Sequence, residues 1–178
     1  MHKDLERIFF TEEELANRVK DLGAEISKDY AGKKPVLIGV LKGSFIFMSD
    51  IMRAIDVDVN VEFMAVSSYG NDTTTTGAVK ILKDLNFDIE SRHIIIIEDI
   101  LDSGLTLSYL KKNLLTRNPA TIKICALLDK PARREAAIDV DYRGFFCEDE
   151  FVVGYGLDYA ENYRNLPYIG VLKPEVYS

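Results

Sequence analysis

Three carboxylates within five positions, followed directly by a glycine turn, form the part of this sequence best suited to chemistry. Glu98, Asp99 and Asp102 follow a run of β-branched residues, and the segment Ser103-Gly104-Leu105-Thr106 then begins a stretch with helical apolar spacing. Backbone N–H groups at the start of a helix bind anions, and glycine allows a ligand to approach the backbone closely. Carboxylates beside such a turn suit hydroxyl groups or Mg²⁺. The segment therefore predicts a phosphate cradle next to an acidic cluster.

A structural explanation for the same residues stays open. Asp102 and Ser103 would cap the helix while Glu98 and Asp99 face water, and helix-capping statistics favour this explanation. A cap needs only one side-chain acceptor, so the explanation leaves the third carboxylate without a purpose. The cradle is not a nucleotide-binding loop of the Gly-x4-Gly-Lys kind, because that pattern is absent from the sequence.

The elements around the acidic segment alternate between helices and strands. The sequence predicts helices from the capping box at Thr11 to about Asp29, then over 45–55 and 104–115, and strands over 35–41, 57–65, 93–97 and 121–128. In the strand over 57–65 we expect Glu62 on a solvent face. This order predicts an α/β fold with a twisted, mainly parallel sheet flanked by helices, whose ligands lie beyond the carboxyl ends of the strands. Residues 67–77 collect turn formers and hydroxyls and predict a mobile loop.

Length, charge and cysteine content limit the function further. The 178 residues suit one domain spanning 1–178, and the net charge of −7 argues against a nucleic-acid partner. No apolar stretch reaches the length of a signal peptide or the roughly 20 residues of a membrane span, so we expect a cytoplasmic protein with no membrane partner. Cys125 and Cys147 lack neighbouring Cys or His residues, which predicts buried thiols rather than a zinc site or a disulfide.

Two motifs carry a resemblance to a known family. The run IIIIEDILDSGLT (residues 94–106) resembles the phosphoribosyl-pyrophosphate signature of the type I phosphoribosyltransferases. The run FVVGYGLDY (151–159) resembles the purine-side motif of the hypoxanthine-guanine phosphoribosyltransferases within that family. Further short segments fall in the family's order, so the resemblance covers about residues 35–172. It implies a core of about 35–150 and a small hood subdomain of about 1–30 and 151–178, formed by the chain termini.

The resemblance implies a reaction in purine salvage. The 5-phosphoribosyl group of phosphoribosyl pyrophosphate would pass to hypoxanthine or guanine, giving IMP or GMP and pyrophosphate, with Mg²⁺ as cofactor. By resemblance, Asp102 would be the general base near purine N7, while Glu98 and Asp99 would hold the ribose hydroxyls directly or through Mg²⁺. Residues Asp102, Ser103, Gly104, Leu105 and Thr106 would bind the 5′-phosphate.

The resemblance also assigns the pyrophosphate side of the site. Lys42 and Gly43, after a cis peptide bond, and Arg164 would hold pyrophosphate, and Asp158 would bind the Mg²⁺ that bridges it. Ser68 and Tyr69 would form the hinge end of the mobile loop, which excludes water from the reacting sugar. From residue types alone, Lys42 is as readily a solvated turn lysine and Arg164 a surface arginine.

The purine side is implied in the same way. Phe151 would stack on the base, the Val152 backbone would bond its edge, and Lys130 would donate to O6, which selects oxopurines over adenine. Without the resemblance, Phe151 and Val152 are ordinary core residues. The order of preference among hypoxanthine, guanine and xanthine stays open. The family forms homodimers and homotetramers, and we expect one of these here.

Two other functions remain as alternatives. A uracil-type phosphoribosyltransferase that also acts as an RNA-binding regulator has a similar length, but it needs a basic face that a net charge of −7 does not supply. A non-enzymatic nucleotide-sensing module of the same fold is the second, because fold does not fix function. Such a module would be expected to lose carboxylates that this chain retains, namely Glu98, Asp99, Asp102 and Asp158.

Overall fold

A mainly parallel sheet lies at the centre of the fold. In the computed structural model, which describes residues 1–68 and 79–178, it contains six strands in the order β4-β3-β2-β5-β6-β7. Their bounds are β2 (Val36–Leu41), β3 (Asn60–Ser68), β4 (Val79–Lys83), β5 (His93–Leu101), β6 (Thr121–Asp129) and β7 (Tyr142–Phe146). Neighbouring strands run parallel except β4, which pairs antiparallel with β3. The predicted α/β fold is confirmed.

Helices cover both faces of this sheet and create two hydrophobic cores. The helices are α1 (Glu12–Asp29), α2 (Phe45–Ala54) and α3 (Leu105–Leu115). Ile95 and Ile97 of β5 pack into the core with α1 and α2, whereas Ile94 and Ile96 pack into the core with α3. Successive strand residues point to opposite faces, and a central parallel strand buries both of them. The uninterrupted isoleucine run therefore places β5 in the middle of the sheet.

The capping box predicted at Thr11 is present at the start of α1. The Thr11 hydroxyl accepts a hydrogen bond from the Glu14 N–H (3.2 Å), and the Glu14 carboxylate accepts one from the Thr11 N–H (2.8 Å). These bonds satisfy N–H groups that a helix start leaves unpaired. The helix ends at Asp29, as predicted.

A second, small sheet joins the two ends of the chain. Its antiparallel strands are β1 (Leu5–Phe10), β8 (Val152–Val153) and β9 (Ile169–Leu172), in the order β1-β9-β8. The helix α4 (Pro174–Tyr177) follows β9. Helix α1 packs on α2 and β7, beside the main sheet. No helix among residues 1–68 and 79–178 has the length and apolarity to cross a membrane.

The prediction that Glu62 in β3 faces solvent is wrong. Glu62 is buried. Its carboxylate accepts hydrogen bonds from the N–H groups of Phe63 (3.0 Å) and Asn86 (2.9 Å) and pairs with the Lys83 ammonium at 3.1 Å. A buried carboxylate is tolerated when it is paired and hydrogen-bonded in this way. The strand also begins later than predicted, at Asn60.

Two further expectations concern cysteines and the central loop. Cys125 and Cys147 are both buried free thiols, as predicted, and burial raises the pKa of each. Of the predicted loop over 67–77, residues 67 and 68 belong to β3. Residues 69–78 lie outside the described part of the chain.

The contact between α1 and α2 leads to a first prediction. A Cβ built on Gly23 of α1 would lie 2.4 Å from the carbonyl oxygen of Ala54. Helix propensity favours Gly23→Ala by about 1 kcal/mol, but overpacking against a fixed backbone costs more. We therefore expect Gly23→Ala to lower the free energy of unfolding by about 1–3 kcal/mol in urea denaturation. The exposed neighbour is the control: Ala24→Gly should cost only the propensity difference, and a stabilised Gly23→Ala protein would contradict the close contact.

Candidate active site

Two cavities meet at the carboxyl end of β5. The smaller, which we call the turn cavity, measures about 140 Å³ and is lined by Glu98, Asp102 and the segment from Ser103 to Leu107, apart from Leu105. The larger, which we call the hood cavity, measures about 400 Å³. Its lining includes Asp99, Asp102, Lys130, Phe151, Val152 and Asp158. Asp102 lines both cavities and therefore stands where they join.

The turn after β5 opens α3 without a side-chain cap. The N-cap residue is Gly104, in the left-handed region at φ 77°, so the N-cap position has no side chain to cap the helix. The Ser103 hydroxyl receives only a long contact of 3.4 Å from the Leu105 N–H. Neither Asp102 nor Ser103 is therefore the N-cap of α3, and Ser103 contributes only this weak bond. The uncapped helix start leaves N–H groups for an anion in the turn cavity.

Asp102 has a carboxylate oxygen with no partner. Its Oδ1 is buried and makes no hydrogen bond to any residue in 1–68 or 79–178. Leaving a buried polar atom unpaired costs about 1–3 kcal/mol. An oxygen held in this state between two cavities is suited to accept a proton or a hydrogen bond from a ligand.

The two acidic residues at the end of β5 serve different cavities. Burial raises the pKa of Glu98 well above its usual value, and the neighbouring Asp99 charge adds to the effect. Burial also raises the pKa of Asp99, to about 6, although a hydrogen bond from the Ile100 N–H opposes the increase and the charge of Asp158 adds to it. Glu98 lines the turn cavity and Asp99 lines the hood cavity. The three predicted carboxylates are thus divided between the two cavities, and only Asp102 among them lines both.

The turn after β2 lies against this acidic end. The Leu41–Lys42 peptide bond is cis, as the resemblance implied. A Cβ on Gly43 would lie 1.8 Å from Asp99 Oδ2, so only glycine leaves room for that carboxylate. The Lys42 ammonium pairs with Glu161 Oε2 at 2.8 Å, and both side chains are largely exposed.

Arg164 is held within the loop that follows β8. Its guanidinium pairs with Asp158 Oδ1 at 2.9 Å and donates to the Gly156 carbonyl oxygen at 2.7 Å. Glu161 lies 3.5 Å from the same guanidinium. The structure therefore brings Lys42 and Arg164 to one carboxylate. Neither cation belongs to the lining of the hood cavity.

The far side of the hood cavity is aromatic and carries one buried ammonium. Lys130 is 5% exposed, donates to the Glu150 carbonyl oxygen at 2.9 Å and pairs with Asp149 at 3.1 Å. Phe151 stacks on Tyr177, with ring centroids 4.6 Å apart. Sequence reasoning missed Tyr177 and Asp149, since nothing local connects the end of the chain with this cavity.

The remaining predicted positions are placed as follows. Val152 is buried in β8 and lines the hood cavity. Ser68 ends β3, and Tyr69 lies outside the described residues. Leu105 is exposed at the first position of α3.

The carboxylates suit a magnesium ion that also binds substrate better than they suit a metal ion held by protein ligands alone. Within 1–68 and 79–178, no three His, Cys, Asp or Glu residues gather as a metal-binding group. Mg²⁺ is usually bound by one or two carboxylates together with water and substrate phosphates. Asp99 and Asp158 supply two such oxygen donors in one cavity, and the charge of Asp158 acts on Asp99.

An uncapped helix start follows the acidic end of β5, beside a small sheet made from the two ends of the chain. Comparison with known proteins identifies the family that has this arrangement. A family described as phosphoribosyl transferase domain matches residues 9–160. The hypoxanthine-guanine phosphoribosyltransferase of Bacillus subtilis is 56% identical over 177 residues, covering 99% of this chain and 98% of that protein. A crystal structure of a hypoxanthine phosphoribosyltransferase from Staphylococcus aureus gives a TM-score of 0.97 at 53% identity, covering 100% of this chain and 97% of that one. The chain belongs to the hypoxanthine-guanine phosphoribosyltransferase family.

Some relatives are longer than this chain. The bifunctional protein TilS/HprT of Listeria innocua is 53% identical over 178 residues. The match covers 100% of this chain but 28% of that relative.

The glycine at the turn after β5 leads to a second prediction. A Cβ on Gly104 would lie 2.6 Å from Ile138 Cγ2, whereas a Cβ on Gly32, also at positive φ (72°), would meet nothing within 4 Å. Gly32→Ala should therefore show only the left-handed strain, about 1–2 kcal/mol. Gly104→Ala should lose about 1–3 kcal/mol more, because it also overpacks the turn. Urea denaturation of both variants checks the difference, and equal losses would show that the Ile138 contact is unimportant.

Proposed function

We propose that the protein transfers the 5-phosphoribosyl group from phosphoribosyl pyrophosphate to hypoxanthine or guanine and releases pyrophosphate. The observation that carries this proposal is the position of Asp102. Its unpaired carboxylate oxygen lies where a cavity suited to a phosphate meets a cavity suited to an aromatic base. A reaction that joins a phosphorylated sugar to a purine needs a proton acceptor at this junction.

Asp102 would act as the general base. The purine N9 forms a bond to C1 of the sugar while the bond from C1 to the pyrophosphate oxygen breaks, and the proton on N7 passes to Asp102. The departing charge leaves a cationic sugar, so the acidic residues beside it are stabilising in the transition state. Glu98 and Asp99 would hold the ribose hydroxyls, directly or through the metal. The backbone of residues 102–106 would hold the 5′-phosphate in the turn cavity.

The opposite side of the site would hold the leaving group. Lys42, the Gly43 backbone and Arg164 would bind pyrophosphate, since ammonium and guanidinium groups suit phosphate oxygens. Asp99 and Asp158, together with Glu98 through the sugar hydroxyls, would hold Mg²⁺, which supplies positive charge to the departing pyrophosphate when bound.

The purine would lie in the hood cavity. Phe151 would stack on the base with Tyr177 behind it, and the Val152 backbone would bond the base edge. Lys130 would donate to O6, and its buried ammonium would lose a partner if adenine entered. A site built to donate a hydrogen bond rejects an analogue that cannot accept it. These contacts support an oxopurine rather than adenine as the substrate.

Other features of the protein remain proposals that rest on the family resemblance. Ser68 and Tyr69 would form the hinge of a loop that excludes water. The core would span about 35–150, with a purine-side hood of about 1–30 and 151–178 in which β1, β8 and β9 form the sheet. We also propose a homodimer or homotetramer and a cytoplasmic location.

The decisive experiment is product formation with a panel of bases. Each of hypoxanthine, guanine, xanthine, adenine and uracil is incubated with phosphoribosyl pyrophosphate and Mg²⁺, and nucleotide is measured by chromatography. We expect nucleotide from hypoxanthine and guanine and none after chelation of the metal. Product from uracil alone would favour the uracil-type enzyme, and no product from any base would favour the non-enzymatic module.

The base role leads to a third prediction. Asp102→Asn keeps the shape of the side chain but removes the proton acceptor, so we expect single-turnover rates to fall about 100- to 10,000-fold. Binding of IMP should change little, because the turn that holds the phosphate stays intact. Asp21→Asn, an exposed change on α1, is the matched control and should leave both quantities unchanged. An unchanged rate in Asp102→Asn would remove this residue from the base role.

A further inference from the structure

We propose that Arg134 is a positioning residue that sets the phosphate-binding turn by holding its carbonyl groups. The inference rests on the proposed function, in which that turn binds the 5′-phosphate. Arg134 directly follows the 3₁₀ turn Pro131–Arg133. It is not part of the lining of either cavity.

One guanidinium reaches four acceptors. Arg134 Nε donates to the Asp102 carbonyl oxygen at 3.0 Å, and Nη2 donates to the Leu101 carbonyl oxygen at 3.3 Å. Nη1 donates to the Ile138 carbonyl oxygen at 2.8 Å, and Nη2 also pairs with Asp129. The side chain is 17% exposed. Only arginine can satisfy this arrangement, because its donors form a rigid planar fork whereas lysine offers a single point charge.

The backbone beside Arg134 completes the hold on the turn. The N–H groups of Glu135 and Ala136 both donate to the Ser103 carbonyl oxygen, at 2.9 and 3.0 Å. The Lys130 N–H donates to the Leu101 carbonyl oxygen at 3.0 Å. Three successive carbonyl groups, from residues 101 to 103, therefore all point towards the segment 130–138.

This orientation fixes the N–H groups of the turn. In a trans peptide the C=O of one residue and the N–H of the next point in opposite directions, and these peptide bonds are trans. The N–H groups of Asp102, Ser103 and Gly104 therefore point away from segment 130–138. None of the three donates to another residue within 1–68 or 79–178. The hold on the carbonyls thus presents three free donors to an anion in the turn cavity.

Asp129 ties the same arginine to the purine side. It is 3% exposed at the end of β6, opposite Leu101, and its second oxygen accepts from Arg143 Nε at 2.6 Å. Lys130, the proposed O6 donor, is the next residue. A buried carboxylate with two arginine partners gives Arg134 a fixed anchor. Arg134 therefore connects the strand end that holds the phosphate with the strand end that holds the base.

The test separates the phosphate turn from the pyrophosphate side. Ribose 5-phosphate and pyrophosphate with Mg²⁺ are titrated by calorimetry into wild-type protein, Arg134→Lys and Arg134→Gln. We expect Arg134→Lys to bind ribose 5-phosphate about tenfold more weakly and Arg134→Gln more weakly still, because the donors of the turn lose their orientation. Pyrophosphate, at Lys42 and Arg164, should bind within about twofold of wild type, since those cations do not contact Arg134.

The matched control is Arg117→Lys. Arg117 also forms a forked ion pair, with Asp84 at 2.8 and 2.9 Å, but at the far end of α3. The Arg117→Lys protein should bind both ligands as the wild type does. Arg134→Lys retains the charge opposite Asp129, and a thermal melt checks that it is folded.

The outcomes are distinct. Unchanged binding of ribose 5-phosphate by Arg134→Lys would overturn the proposal. Equal loss of binding of both ligands, or an Arg134→Lys protein that does not fold, would also overturn it, because either result would make the role of Arg134 merely structural. Wild-type protein that binds ribose 5-phosphate but forms no nucleotide from any base would instead contradict the proposed function. That result would leave the role of Arg134 in the turn unaffected.

Discussion

Burial of β5 on both faces is the constraint on which the site depends. The alternation that sends Ile94 and Ile96 towards α3, and Ile95 and Ile97 towards α1 and α2, continues past the isoleucine run. Glu98 therefore emerges on the α3 side and lines the turn cavity, while Asp99 emerges on the α2 side against Gly43. A shift of one residue in the register of β5 that moved Glu98 to the position of Ile97 would bury its charge in the core with α1 and α2. The packing of the isoleucines thus fixes which acid faces which cavity.

The same burial makes the acidic end of β5 unfavourable without a ligand. Burial raises the pKa of Glu98 and brings that of Asp99 to about 6, and Asp102 retains an unpaired oxygen. Each effect opposes folding at neutral pH, because a buried charge or an unpaired buried polar atom is less stable than the same group in water. Sites that bind or react commonly break the rules followed elsewhere in a chain. Here the cost falls on three neighbouring positions, and the largely buried strands β2 and β6 on either side of β5 offset it.

Residues with local signals were predicted from the sequence, and residues with distant partners were not. The capping box at Thr11 and the isoleucine run each carry their pattern within a few positions. The helix-cap and phosphate-cradle explanations of Asp102 used the same residue types. The backbone distinguishes them, because it makes Gly104 the N-cap of α3. Glu62 was misassigned to solvent because its partners, Lys83 and Asn86, lie more than twenty positions away. Strand β8 has only two residues, which is too short for any periodic signal.

The two halves of the site differ in how ready they are for an anion, given the proposed roles. The turn cavity presents N–H groups of residues 102–104 that are already oriented and have no partner in the described part of the chain. On the other side, Lys42 is paired with Glu161, and both side chains are 66% exposed. An exposed pair of this kind contributes about 0–1 kcal/mol, so a more highly charged anion displaces Glu161 at little cost. Arg164, which is 20% exposed and also bonded to the Gly156 carbonyl, is held more firmly. Preorganisation is therefore greatest where the phosphate stays on the product, and least at Lys42, where the leaving group must depart.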